Sequence, residues 1–568
     1  MKRIEFGRES PTLESDEPIK VFEERVNKFV TDSLDGYNPE GHVKGSKSIR
    51  DAIWGTNRFY PWEVAILDSP VLQRLRDIHQ TGLAYLVYPT AVHSRFDHTL
   101  GVVAVASRIV RSINDKYPQH KDPKISYADH MQVRLSAILH DVGHSCLSHI
   151  SEDIYGASDE FKALTKYVND QFKVTPKPHE IMSWLIVRSQ RFKDFIKKLM
   201  EKGLLSDWVC SPDDVDIVAG NIIGFRENSK QKFLADIING PMDADKLDYL
   251  VRDAYFAGPT IVYDLERFLH TVDSIEYPRD EPLSDEGSVV RLSVPIEGVT
   301  ALEQIIISRL MLFSYLYHHH KIRCVEGMFH EALKRLVEVS RANPKREKGA
   351  YFLDHPTSFL QLSDRSLFPG AWPPEVEGDK VAGKILRMLT RRELYKRALV
   401  ISRLFINDID TNEAVKSGFE KLLRCGEDTA ARDNLRQQIF EKAKKKISSK
   451  DYKELRKNFQ LQHVLVDIPR SPTVEEAVGV MVPLSRDLRG SGLQYVSLSD
   501  IFPIEKWVDA YNAIKWRGHI FALEEAVPFV NAATLEILAV EPYLLKFTRQ
   551  ATDICKITTP ISPDFSLL

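Results

Sequence analysis

The sequence predicts a mainly α-helical protein that carries one small β-hairpin and a mixed α/β C-terminal region. Three patterns point that way. Between residues 48 and 275, apolar side chains recur every three or four positions, the period of helices buried along one face. Residues 288–298 instead alternate, with Val290, Leu292, Val294 and Ile296 sharing one side, as a half-buried hairpin strand does. Downstream, short strand-like runs such as residues 463–468 are mixed with helical stretches.

A chain of 568 residues has room for roughly two to four domains and a large core. Hydrophobic content of 43% and charged content of 28% belong to ordinary globular proteins. A net charge of −3 gives no global case for binding nucleic acid or an anionic membrane. Cys146, Cys210, Cys324, Cys425 and Cys555 are widely spaced, odd in number and free of CxxC pairs. That argues against a disulfide framework and a thiolate zinc site, and fits a reducing cytoplasm. The start is too polar for a signal peptide, and we expect no membrane span, since no run of ~18 apolar residues stands out.

Taken in order, residues 1–45 read as a polar N-terminal extension with one helix over 21–30. GHVKGSKS at 41–48 lacks the spacing of a phosphate loop. Ser69 and Pro70 read as the cap and first turn of a helix, continued by Leu72, Leu75, Ile78 and His79 at helical spacing. His98 opens the next helix, with Val102, Val105, Ile109 and Ile113 on its apolar face. Leu135, Ile138, Leu139 and Val142 form the stripe of a helix carrying His140 and Asp141, broken at Gly143. Pro178 starts another helix at His179. Residues 299–342 predict one long helix, 343–378 loops, 381–405 further helices and 440–457 a basic helix. The organisation expected is an extension over 1–45, a core over 46–345, and a mainly helical region with short strands over 346–568. No fixed-period repeat is present.

The chemistry concentrates in two stretches. His93, His98, His140, Asp141, His144 and His149 are close in sequence, and PMDADKLDYLVRD later supplies Asp243, Asp245 and Asp248. Imidazoles and carboxylates suit a divalent cation. An isolated His-Asp pair is usually a satisfied core histidine, but His98 before it and Asp245 after it complete a four-ligand set. Leu247, Tyr249 and Leu250 make the second stretch half-buried, and burying several acids without a cation is costly. His149 and Glu152 are three apart and share a helical face; a carboxylate behind an imidazole fixes its tautomer and suits it to general-acid work. Arg95, Lys246 and Arg309 are candidate phosphate cations. Tyr249, Tyr315 and Tyr317 either stack on a base or pack in the core. Lys442, Lys444, Lys445 and Lys446 read as a solvated face, without the interleaved aromatics of a single-strand binder.

At these residues the chain resembles the HD-domain deoxynucleoside triphosphate (dNTP) triphosphohydrolases, both the bacterial enzymes and the HD core of the animal sterile-alpha-motif/HD enzyme. DSPVLQRLRDIHQTG (68–82), YPTAVHSRFDHTLGV (88–102), LHDVGHSCLSH (139–149) and DADKLDYLVRDAYFAG (243–258) carry the likeness, which runs from about 47 to 320. The resemblance implies an HD-domain helical core. It implies His98, His140, Asp141 and Asp245 as ligands of a divalent metal, which could be Mn, Mg, Fe, Co, Ni or Zn. His149 matches the catalytic histidine and Glu152 its supporting acid, with His144 and His179 facing phosphates. Arg95 and Lys246 match phosphate contacts, Tyr249 and Asp253 sugar contacts, and Gln80 lies close to the sugar 3′-hydroxyl. Arg309 and Tyr317 align with pocket-lining residues. Asp68, Gln73 and Arg76, with His319, match a candidate activator site. The basic cluster that completes it in the animal enzyme is mostly missing from RLSVPIEGVTALEQ (291–304), and no sterile-alpha-motif domain is expected before the core.

The expected function is therefore metal-dependent hydrolysis of dNTPs to deoxynucleoside and inorganic triphosphate, open to activation by a second nucleotide. The expected partners are the dNTP, an activating nucleotide and further copies of the chain, often a tetramer in the family. The nearest alternative is an HD phosphohydrolase acting on a nucleoside monophosphate, a cyclic or signalling nucleotide, or a nucleic-acid end. A binding protein with a degenerate site is the rival from another class.

Overall fold

The computed structural model describes residues 17–39, 45–117, 124–205, 214–261, 263–278, 288–342, 353–367, 379–447, 452–470, 480–484 and 494–555. The first helix, α1 (Glu17–Leu34), is longer than the predicted one and buries Phe22, Val26 and Phe29. Strands β1 (Lys47–Asp51) and β2 (Gly55–Phe59) form an antiparallel hairpin, followed by α2 (Pro61–Leu67) and α3 (Pro70–Gln73).

The predicted helix through Ile78 and His79 stops early. After α3 the chain makes a 3-10 turn over Arg74–Asp77, Ile78 becomes extended, and His79 pairs with Ser94 in an isolated bridge. Tertiary hydrogen bonds replace the helical ladder here: the Asp364 carboxylate accepts the His79 backbone N–H at 2.8 Å.

Helix α4 (Arg95–Asp115) starts at a capping box in which Ser94 and Asp97 satisfy each other's backbone N–H groups. Helix α5 (Tyr127–Leu139) ends before the His-Asp pair, so His140 is its C-cap and Asp141 lies in the following turn. Then come α6 (His149–Tyr155), α7 (Asp159–Phe172), α8 (Pro178–Arg188), α9 (Gln190–Glu201), α10 (Val215–Ile222), α11 (Lys232–Asp236), α12 (Ala244–Ala257) and α13 (Leu265–Thr271). The predicted strand is β4 (Ser288–Ser293), antiparallel to β3 (Asp273–Pro278). Helix α14 (Val299–Leu312) runs into one π-helical turn, Phe313–Tyr317, before α15 (His320–Ala342). The long predicted helix is thus interrupted. The stretch Ile296–Tyr317 is long and apolar enough to cross a membrane, with mean hydropathy 1.4, which the sequence reading did not anticipate; half of that window is buried inside the fold.

Farther on, α16 (Ala382–Thr390) is helical as predicted, but β5 (Lys396–Ile401) is a strand where helix was expected. The run Ala398–Ile401 is buried on both faces, and a short continuous apolar run does not distinguish strand from helix by period. Helices α17 (Glu413–Arg424), α18 (Thr429–Lys446) and α19 (Lys453–Asn458) lead to β6 (Val464–Asp467). A small β7–β8 pair (Met481–Pro483, Tyr495–Ser497) precedes β9 (Gly518–Ala522), the centre of a sheet ordered β5-β9-β6.

Two apolar cores result. The larger extends from α1 through α15 and takes in Phe359, Leu360 and α16. The smaller lies around the β5-β9-β6 sheet and includes Leu422, Ile439, Phe459 and Val530.

Candidate metal centre and histidine cluster

Helix α4 packs against both α5 and α12, and the three bring together one candidate ligand set. His98, one turn into α4, is fully buried. Its Nδ1 lies 2.7 Å from Asp248 Oδ2, so Nδ1–H donates there and Nε2 faces inward. Nε2 is 2.9 Å from Asp245 Oδ1 and 3.7 Å from Asp141 Oδ2. His140 repeats the arrangement: Nδ1 lies 2.8 Å from the Ala137 carbonyl, and Nε2 points at His98 Nε2, 3.4 Å away. His140 Nε2 is also 3.3 Å from Asp141 Oδ1 and 4.0 Å from Asp245 Oδ1.

Two imidazole nitrogens facing each other between two carboxylates require a positive centre. Burial disfavours charge on His98, yet its hydrogen bonds to the Asp245 and Asp248 carboxylates draw its pKa up to about 10. Asp245 moves the other way: burial opposes its charge, but His98 holds it far below the usual carboxylate range. A proton can serve as that centre, and a divalent cation fits the same donors with better charge balance.

Asp248 is itself anchored. Arg252 grips it through Nε at 2.7 Å and Nη2 at 2.9 Å, and Arg252 Nη2 also reaches Asp51 at 2.8 Å. The Trp54 indole donates to Asp248 as well. Gly101 makes room for this chain, since a Cβ there would lie 1.9 Å from Asp248 Oδ1. Gly143 plays the same part on the other side, where a Cβ would come 2.3 Å from the Ser183 backbone nitrogen.

Asp141 joins this set to a second cluster. His144 Nε2 lies 3.3 Å from Asp141 Oδ1, and the His144 and His179 rings stack at 3.9 Å. Glu152 serves three histidines rather than His149 alone. Its Oε2 accepts from His179 Nδ1 at 3.0 Å, while its Oε1 lies 2.9 Å from His144 Nδ1 and 3.4 Å from His149 Nδ1. The His144 approach is off hydrogen-bond geometry, and neither of its nitrogens is hydrogen-bonded among the described residues. Burial, with Arg95 and His179 nearby, holds the His144 pKa down at about 4. Burial also opposes charge on Glu152, but His179, His149 and His144 keep it well below its ordinary value. The His149 side chain is 67% exposed, the most open of the cluster.

The candidate substrate residues surround these groups. Arg95 is buried, with Nη1 on Asp141 Oδ2 at 2.8 Å and Nε on the Ser148 hydroxyl at 3.0 Å. Lys246 Nζ reaches Asp243 Oδ2 at 2.7 Å and the Gly240 carbonyl at 2.9 Å. Asp253 takes His93 Nε2 at 2.8 Å and the Tyr317 hydroxyl, which the π-helical turn presents. Tyr249 feels the charges of Arg309 and Lys246, although burial dominates and raises its hydroxyl pKa. Gln80 is buried, and its Oε1 has no partner among the described residues.

The candidate activator residues lie apart, on the α2–α3 segment. Asp68 pairs with Lys47 at 2.8 Å, Arg76 Nε donates to Gln73 at 2.8 Å, and Arg76 lies 3.8 Å over the Phe96 ring. His319 packs edge-on against Tyr88 instead. Among the described residues no hydrogen bond or ion pair joins it to that trio.

Sequence reasoning left Asp51, Trp54, Gly101, Arg252, Ser183 and Asp364 without roles. The Arg252–Asp248 spacing of four on one helix was a readable signal; the others are contacts between distant segments.

Residues 95–207 match the HD domain and residues 286–547 match the HD associated region. An uncharacterized protein of Methanocaldococcus jannaschii is 29% identical over 366 residues, covering 64% of this chain and 62% of its own. The deoxynucleoside triphosphate triphosphohydrolase SAMHD1 of Homo sapiens is 26% identical over 375 residues, 62% of this chain and 55% of its own. Its Dictyostelium discoideum homolog is 25% identical over 358 residues, 62% of this chain and 60% of its own. The matched region thus spans less than two thirds of each relative. With an HD domain, an HD associated region and a His/Asp cluster able to hold a divalent metal, the chain belongs to the HD-domain family that includes the deoxynucleoside triphosphate triphosphohydrolases.

Proposed function

We propose that this protein hydrolyses dNTPs to deoxynucleoside and inorganic triphosphate. The observation that carries the reading is the sharing of Asp141. Its Oδ1 lies 3.3 Å from both His140 Nε2 and His144 Nε2, so one carboxylate joins the His98–His140–Asp245 donor set to His144 and His179. The names of the SAMHD1 relatives favour a dNTP as substrate.

His98, His140, Asp141 and Asp245 would hold the metal, which when bound supplies Lewis-acid polarisation of a phosphoryl oxygen and a more acidic water. Arg95, Lys246, His144 and His179 bind the triphosphate. Tyr249 and Asp253 hold the sugar with Gln80 near its 3′-hydroxyl, and Arg309 and Tyr317 close the pocket. Water adds at the α-phosphorus, and His149 delivers a proton to the departing 5′-oxygen. Its exposed ring is free to meet substrate, while Glu152 orients it. Asp68, Gln73 and Arg76 form part of an activator site for a second nucleotide, and the chain assembles as a homo-oligomer.

The test is anion-exchange separation of products from each dNTP with Mn²⁺ or Mg²⁺, with and without a second nucleotide, for the natural chain and His149→Ala. Triphosphate plus deoxynucleoside from the natural chain, and loss of turnover with metal retained in the variant, are expected. Full turnover by His149→Ala would overturn its role. No product from any dNTP would turn the reading towards a monophosphate, a cyclic or signalling nucleotide, or a nucleic-acid end.

A further inference from the structure

The loop that delivers His149 is held from outside the HD domain. Leu147 and Ser148 both have left-handed φ values, 52° and 50°, a conformation that residues with a Cβ adopt at a cost and keep only when their surroundings enforce it. The enforcing group is Asp364, on a short 3-10 turn (Asp364–Leu367) in the HD associated region, and it is 2% exposed. Its Oδ1 accepts the Leu147 N–H at 2.6 Å. Its Oδ2 accepts both the backbone N–H and the Nδ1–H of His79, at 2.8 and 2.6 Å. The ring closes through Ser148, whose hydroxyl donates to the His79 carbonyl at 3.0 Å and accepts from Arg95 Nε at 3.0 Å. The Ser145 hydroxyl adds a parallel tie to the Phe359 carbonyl at 2.6 Å. One carboxylate therefore fixes His79, directly before Gln80, and Leu147, next but one before His149, and His79 in turn holds the Ser148 hydroxyl that meets Arg95.

We propose that Asp364 is a positioning residue for the reaction: it holds the 78–81 and 145–149 segments in register so that Gln80, Arg95 and His149 meet the same substrate. The inference rests on the function proposed above. The ionised carboxylate is suited to this because it accepts all three N–H groups, whereas an amide turns an NH₂ towards at least one of them.

The test is Asp364→Asn in the full chain, read by steady-state kinetics, bound-metal content and amide hydrogen exchange. Expected are a kcat about ten-fold lower or more, because small misplacements of reacting groups are costly, with KM and metal content little changed. Exchange should quicken in 78–81 and 145–149 while α4 and α12 stay protected. Ser148→Ala opens the same ring without touching the HD associated region. It should show the same split of kcat from KM, and it decides the matter if Asp364→Asn does not fold. Unchanged exchange in both segments, or faster exchange with unchanged kcat, would overturn the proposal. A natural chain inactive on every dNTP would contradict the substrate assignment instead, and the exchange result would then decide the positioning role alone.

Discussion

His98 does two jobs through its two ring nitrogens. Nδ1 anchors the ring on Asp248, and Nε2 is thereby committed to the centre shared with His140, Asp141 and Asp245. Asp248 is in turn fixed by Arg252 and Trp54 in the space left by Gly101. Supporting carboxylates of this kind raise the basicity of a ligating histidine and hold its ring in line. Asp248→Asn should therefore weaken metal binding about 10–100-fold, as losses of outer-shell partners do. Competition titration against a chelator measures this, and an unchanged affinity would contradict the role assigned to Asp248. Asp141 has the other double role: Oδ2 faces His98 and Arg95, and Oδ1 faces His140 and His144.

At the scale of elements, α15 links the two cores. It lines the larger core with Met328 and Leu333, and its Glu331 pairs bidentately with Arg436 of α18 at 2.7 and 2.6 Å. Arg436 Nε also donates to the Val464 carbonyl at the start of β6, at 2.7 Å. Burial works against the Glu331 charge, but His330 and Arg436 bring it from 4.5 down to about 2. A carboxyl depressed on folding stabilises the protein above its unfolded value and loses that contribution as pH falls through its folded value. The shift corresponds to on the order of 3 kcal/mol at neutral pH. Glu331→Gln should be destabilised by about that much at pH ~7 in denaturant unfolding, and the difference should shrink as pH falls from about 4.5 towards 2. A pH-independent difference would show that the pair is not the cause.

The elements also show what a sequence discloses. His98, His140, Asp141 and Asp245 sit in short dense motifs, and the helices that carry them follow from local caps and apolar spacing, as at Ser94 and Asp243. The contacts that shape the site from a distance leave no such trace. Asp364 meets His79 across 285 positions, and Asp51 meets Arg252 across 201. Local period also misleads where tertiary hydrogen bonds overrule it, as at Ile78 and His79, or where an apolar run is too short, as in β5. Glu152 read as the partner of His149 because the two are three apart; the fold also brings His144 and His179 onto it.

For the whole molecule, the HD domain is not a self-sufficient body. The HD associated region contributes Asp364 and Phe359 to the His149 loop, α14 and its π-helical turn bring Tyr317 to Asp253, and α15 is tied to α18 through the Glu331–Arg436 pair. Of the candidate activator residues, Arg76 sits in the 3-10 turn just before His79 and its Asp364 tie. The reaction proposed for this centre is attack at the α-phosphorus with release of intact triphosphate. Hydrolysis of a dNTP in ¹⁸O-labelled water, with mass analysis of both products, tests it most directly. One labelled oxygen in the triphosphate and none in the deoxynucleoside is expected. Label in the deoxynucleoside, or products cut between phosphates, would contradict it.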